Sequence, residues 1–149
     1  MMLSENLYVT EVIKRQTATR KGIDNRPFLH SIDNLTDIGQ AVYQPLRDRY
    51  GSPIFISSGY RSPQLNISIG GISTSQHCKG EALDLDADGD NYKLFNYIFE
   101  NLDFDQLIWE FGDDKNPAWV HVSYKIDENR NQVLKAYKDE QGRTKYKEL

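Results

Sequence analysis

The sequence has a single cysteine, Cys78, and that scarcity excludes an internal disulfide and every multi-cysteine structural zinc pattern. It has no apolar run near the roughly 20 residues of a membrane span, and its start, MMLSENLYVTEVIKRQ, lacks the apolar core of a secretory signal. Neither sign of charge dominates: 18 Lys and Arg stand against 22 Asp and Glu, giving a net charge of -4 without a long block of either kind. Phosphate backbones need a basic patch, so nucleic acid is excluded as an expected partner. Internal repeats and low-complexity segments are also missing. What remains is 149 residues, 38% hydrophobic and 27% charged, a balance that a single domain with a real core can carry without staples. Residues 138–149, rich in Lys and Glu, are expected as a frayed tail.

Periodicity then marks the elements. Thr10 can cap a helix through residues 10–21, with Val12, Ile13 and Gln16 on one face and Gly22 as its stop. Leu35, Ile38, Val42, Leu46 and Tyr50 recur at spacings of three and four before Gly51, which predicts a second helix. Pro45 lies inside it and predicts a bend or break near Gln44. Residues 53–57 read as a buried strand, Ser62-Pro63 as the start of a short helix closed by Gly70-Gly71, and residues 82–86 as a strand with Asp84 and Asp86 on one face. Asp90 is placed to cap a helix facing Leu94, Phe95, Ile98 and Phe99 inward. Residues 106–111 and 118–124, joined by GDDKNP, predict an antiparallel hairpin, with a further strand over 132–137. Helices followed by strands argue for an α+β fold, a single domain with helices packed on an antiparallel sheet.

Three residues carry metal-binding chemistry: His77, Asp84 and His121. Zinc accepts imidazole nitrogen and carboxylate oxygen, and a catalytic zinc takes three protein ligands and leaves one position open. A chain reversal at Gly80 would bring His77 and Asp84 together, with His121 approaching from a neighbouring strand. His30, in PFLHS, is expected only to cap or pack.

The segment Ser75-Gln76-His77-Cys78-Lys79-Gly80-Glu81-Ala82-Leu83-Asp84 resembles the signature SxHxxGxAxD of the M15 metallopeptidases, the D-alanyl-D-alanine carboxypeptidases and related phage endolysins. Ser75, His77, Gly80, Ala82 and Asp84 match every fixed position. The blocks SSGYRSPQLNISIGG, LIWEF, WVHVS and QTATRKGIDN are similar to the compact subgroup of that family, so the resemblance covers nearly the whole chain. It implies a Hedgehog/D-Ala-D-Ala peptidase-like fold, His77, Asp84 and His121 as ligands of Zn2+, and Arg61 as stabiliser of the oxyanion that develops during peptide hydrolysis. The implied reaction is hydrolysis by metal-activated water of a bond in peptidoglycan stem peptides or cross-links, as carboxypeptidase or endopeptidase. With no leader or wall-binding segment apparent, a phage or prophage lytic enzyme is one expected origin, and a chain trimmed of its leader another.

One departure concerns the general base. Many relatives have an acidic residue three positions before the last histidine, where this chain has Ala118. Glu110, across the expected hairpin, is the substitute, with Glu81, Asp86 and Asp113 as rivals. Ser75 could orient a ligand or bind substrate, with Gln76 and Ser123 in similar roles, and Tyr60, Trp109 and Trp119 could line a cleft.

Other readings compete. Asp84-Leu85-Asp86-Ala87-Asp88-Gly89 copies the opening of a calcium loop, but its twelfth position falls on Phe95 instead of Glu. A cysteine peptidase would need Cys78 as a thiolate paired with His30 or His121. A catalytically inactive zinc-containing binding module of the same fold is the non-enzyme alternative.

Overall fold

Alternation of apolar and polar residues builds the centre of the protein. In the computed structural model, which describes residues 1–149 apart from the side chain of Gln16, three strands carry that alternation: β4 (Ala82–Asp86), β5 (Gln106–Glu110) and β6 (Trp119–Ser123). Leu83, Leu85, Leu107, Trp109, Val120 and Val122 all turn to one face and join the core. Each such side chain contributes about 1.5–3 kcal/mol on leaving water. The period of two then obliges Asp84, His121, Ile108 and Glu110 to share the opposite face.

Three more strands precede these: β1 (Met2–Ser4) and β2 (Leu7–Tyr8) form a small antiparallel ribbon, and β3 (Phe55–Ser58) is the edge of the main sheet. With β7 (Gln132–Lys138) and β8 (Thr144–Glu148) the main sheet has six strands in the order β3-β4-β6-β5-β7-β8. All neighbours are antiparallel except β5 and β7, so the sheet is mixed instead of purely antiparallel. The expected hairpin is present as β5–β6, with Glu110 opposite Trp119 and Ile108 opposite His121. The tail read as frayed carries β8, paired along its length with β7 although every residue of β8 is exposed.

The helices cover the apolar face. The first expected helix is two short ones, α1 (Val9–Ile13) and α2 (Gln16–Lys21), separated by extended backbone at Lys14 and Arg15. Tyr8, not Thr10, precedes the first turn, and the Glu11 carboxylate accepts its backbone N–H at 2.8 Å. The side chain of Gln16, expected on the inner face, lies outside the described residues. The next helix starts earlier than expected, as α3 (Leu29–Ile38), and runs through a π-helical turn (Gly39–Tyr43) into α4 (Gln44–Tyr50). His30 is therefore inside the first turn of α3, its ring stacked on Phe28. Pro45 has no N–H to donate, and the backbone absorbs it by widening the preceding turn, with Gln44 N–H donating to the Gly39 carbonyl, instead of breaking. In α5 (Pro63–Ser68) the Ser62 hydroxyl accepts the Leu65 N–H at 3.2 Å, as an N-cap should. In α6 (Asn91–Asn101), Leu94, Phe95 and Ile98 face the sheet, but Phe99 points to solvent. Asp90 makes no capping bond there; the side chain of Asn116 accepts the Tyr92 N–H at 2.7 Å instead.

The connection that matters most for the site is the 3-10 turn Gln76–Lys79, closed by Gly80 in the left-handed region at φ 77°. Gly80 passes so close to α3 that an added Cβ would overlap the Ser31 carbonyl. Gly51 has a similar φ of 79° but open space around it. Gly51→Ala is therefore expected to cost only the left-handed strain of about 1–2 kcal/mol, and Gly80→Ala that strain plus overpacking of about 1–3 kcal/mol. Urea unfolding of the two variants checks this, and equal losses would contradict the close approach.

Candidate metal centre

His77 reaches the polar face of the sheet from the 3-10 turn and is held there from behind. Its Nδ1 lies 2.7 Å from the Gly59 carbonyl, and a carbonyl only accepts, so Nδ1 carries the proton and Nε2 is left with a lone pair. The backbone closes the same clamp: Arg61 N–H donates to the His77 carbonyl at 3.1 Å. Asp84 and His121 are directly opposed on β4 and β6, with His121 Nδ1 2.9 Å from Asp84 Oδ1 and His77 Nε2 3.3 Å from the same oxygen. The two imidazole rings stand edge to face at 5.2 Å.

One donor atom from each of these three residues lies within 4.8 Å of the others, and among the described residues this is the group that can hold a metal ion. Its chemistry fits a cation. His77 is 2% exposed, and its Nε2 is buried without a hydrogen-bond partner. A buried lone pair aimed at a carboxylate and a second imidazole is costly without something to accept it. Burial lowers the His77 pKa and favours the neutral form that ligates, against the opposing charge of Asp84. Burial would raise Asp84, but the two facing imidazoles, His121 at 2.9 Å foremost, outweigh it and hold its carboxyl well below the usual carboxylate range.

Glu110 is on the same face, two pairs along the β5–β6 ladder from His121, and is 8% exposed. Burial raises its pKa from 4.5 to about 7; the charge of His121 opposes that rise and the charge of Asp84 adds to it. Among the carboxylates considered from sequence it alone is uncommitted. Glu81 accepts from Gln76, Asp86 from the Asp88 N–H and Asn91, and Asp113 from the Lys115 and Asn116 N–H groups. Arg61 is partly buried, bonded through its side chain only to the Ser75 hydroxyl at 3.5 Å, and its Nε has no partner. Burial lowers its pKa from the usual guanidinium range, and Asp84 opposes that shift.

The remaining candidates divide. Ser75 serves both Arg61 and the turn, its hydroxyl accepting the His77 N–H at 3.3 Å, so it orients neighbours instead of a ligand's ring nitrogen. Trp119 is partly exposed beside Glu110 and packs on Phe111 at 5.4 Å. Gln76 is tied up as a brace, donating to Glu81 and to Asp105 at 3.0 Å each. Ser123 is fully buried and accepts the Gln106 N–H. Tyr60 is 1% exposed and packs in the core, because its N–H is drawn onto the Val12 carbonyl at 2.7 Å, and so it does not line a cleft. Trp109 is on the helix-covered face against Phe95. Burial pushes the Cys78 thiol up, opposite to what a nucleophilic thiolate needs. The acidic run after Asp84 forms the turn into α6, with Asp90 accepting from the Tyr50 hydroxyl.

Two contributors were not foreseen. The Gly59 carbonyl is the partner that orients His77, a backbone role that side-chain chemistry in the sequence does not reveal. Asp105, fully buried, accepts from Arg130 and from Gln76, so the turn bearing His77 is anchored to the start of β5.

The raised pKa of Glu110 sets a stability test. The unfolded chain ionises near 4.5 and the folded one near 7, so ionisation opposes folding increasingly across that window and fully above it. Below the lower value both states are protonated and no penalty remains. In metal-free protein, Glu110→Gln should exceed wild type in stability by up to about 3 kcal/mol at pH 8, with the gap closing by pH 4. Denaturant melts at the two pH values check it, and a gap independent of pH would contradict the assignment.

Comparison with curated proteins finds no significant match. The family model described as Peptidase M15 matches residues 5–123, a span that holds the turn, all three metal-directed side chains, Arg61 and Glu110. Since the match covers most of the 149 residues, the chain belongs to the Peptidase M15 family.

Proposed function

We propose that this protein is a zinc-dependent peptidase that hydrolyses a bond in peptidoglycan stem peptides or cross-links. The observation that supports an enzyme over a binding module is Glu110, a buried carboxyl group with a pKa near 7 beside a group of three metal-directed donors. A structural metal site has no use for an uncommitted acid at that position. A proton shuttle does, because a pKa near the working pH lets one group both accept and return a proton.

His77, Asp84 and His121 would hold the zinc, which when bound supplies Lewis acidity that acidifies water and polarises a carbonyl. The chain's own groups do the rest. Ionised Glu110 takes a proton from the attacking water as its oxygen bonds to the peptide carbonyl carbon. The carbonyl oxygen gains negative charge, and the Arg61 guanidinium, near enough to interact with Asp84 and His77, would donate to it. As the C–N bond breaks, Glu110 returns the proton to the leaving amine. Trp119 borders the same face and offers an apolar surface to the peptide.

Zinc-loaded wild type should release peptides from purified peptidoglycan, and Glu110→Gln should keep its zinc but lose activity by about 10²–10⁴-fold. Zinc retained in both proteins, with no peptides released by wild type from walls of several chemotypes, would replace the enzyme with a catalytically inactive binding module.

A further inference from the structure

The family match stops at Ser123, but the sheet continues through β7 and β8. Residues paired across strands project to the same face, so the pairing can be followed outward in rows. One row runs Asp84, His121, Ile108, Leu134, Glu148. The next runs Trp119, Glu110, Ala136, Tyr146. Glu110 thus has an aromatic residue on each side of it along its row, with only a methyl group between it and Tyr146.

Ala136 is fully buried although it belongs to the face without helices, while Tyr146 is 55% exposed. The small side chain leaves space above β7 into which a ring from β8 can lean. Partial burial raises the Tyr146 phenol pKa, and the negative charges of Glu110 and then Asp84 raise it further. On the other side of Glu110, Trp119 packs on Phe111, and the Lys138 ammonium lies 5.2 Å above the Phe111 ring. β8 buries no residue of its own, so Tyr146 is available to a ligand.

We propose that Tyr146 is a substrate-binding residue, the wall of the peptide cleft opposite Trp119, with its ring against the bound peptide and its hydroxyl bonded to a peptide polar group beside Glu110. The β7–β8 hairpin then completes a site whose metal ligands all belong to the segment before it. This assignment rests on the peptidase reading for its choice of ligand.

The test uses the zinc-loaded 149-residue protein carrying Glu110→Gln, so that a synthetic stem pentapeptide ending in D-Ala-D-Ala is bound and not consumed. Calorimetric titration should give saturable binding, weakened about tenfold by Tyr146→Ala and about threefold by Tyr146→Phe, the share of one hydroxyl hydrogen bond. In the active protein the same substitutions should raise KM and leave kcat nearly unchanged, and thermal melts should not move. Binding that depends on Tyr146 while wild type releases no product would uphold this role and sink the peptidase reading. Affinity within twofold after Tyr146→Ala, or no saturable binding before it, would overturn the proposal.

Discussion

The antiparallel pairing of β4 with β6 sets Asp84 directly opposite His121, and the rest of the site is arranged around that pair. Because Leu83, Leu85, Val120 and Val122 are committed to the core, a slip of one residue in either strand would bury the ligands and expose the apolar set. The hydrophobic effect therefore holds the metal-directed donors in register, although none of them contributes to it. Pairing outward through β5 extends the same register to Glu110. His77 is the one donor supplied by a turn, and correspondingly it has the most dedicated support: the Gly59 carbonyl, the Arg61 N–H, Ser75, and the Gln76–Asp105 brace.

The electrostatics of this face are unfavourable for a metal-free protein and favourable for one that binds a cation. Two imidazoles and a carboxylate converge, a buried nitrogen has no partner, and a further carboxyl is desolvated nearby. Each of these costs folding free energy. A divalent ion would offset the first two by accepting the donors and would ease the third by its positive charge, so the arrangement trades stability without metal for affinity and a poised acid.

Much of this was readable from the residues. The alternation in 82–86, 106–110 and 119–123 marks the strands because they are buried on one face, and Ser62-Pro63 and Gly51 mark helix ends because their backbone chemistry is local. His77, Asp84, His121, Arg61 and Glu110 were legible as candidates from their residue types and the signature. What was not legible depends on distant neighbours. Tyr60 looks like a cleft residue until Val12 is known to pull its backbone inward. Trp109 and Trp119 are two aromatics near one hairpin, and only the ladder assigns one to the core and the other to the site. Thr144–Glu148 reads as a solvated tail because it buries nothing; its order comes from the free edge of β7. The parallel placement of β7 beside β5 leaves no local trace, and Pro45 announces a defect without saying that a π turn absorbs it.

The central claim is that this chain binds one catalytic zinc through His77, Asp84 and His121. X-ray absorption spectroscopy on protein loaded with one equivalent of zinc tests it most directly, in wild type and Asp84→Ala. The account predicts a shell of nitrogen and oxygen only, with two imidazoles, that is lost or reshaped in the variant. A zinc–sulfur distance near the ~2.3 Å of thiolate ligation, which Cys78 alone could supply as a cysteine, or a shell unchanged by Asp84→Ala, would contradict it.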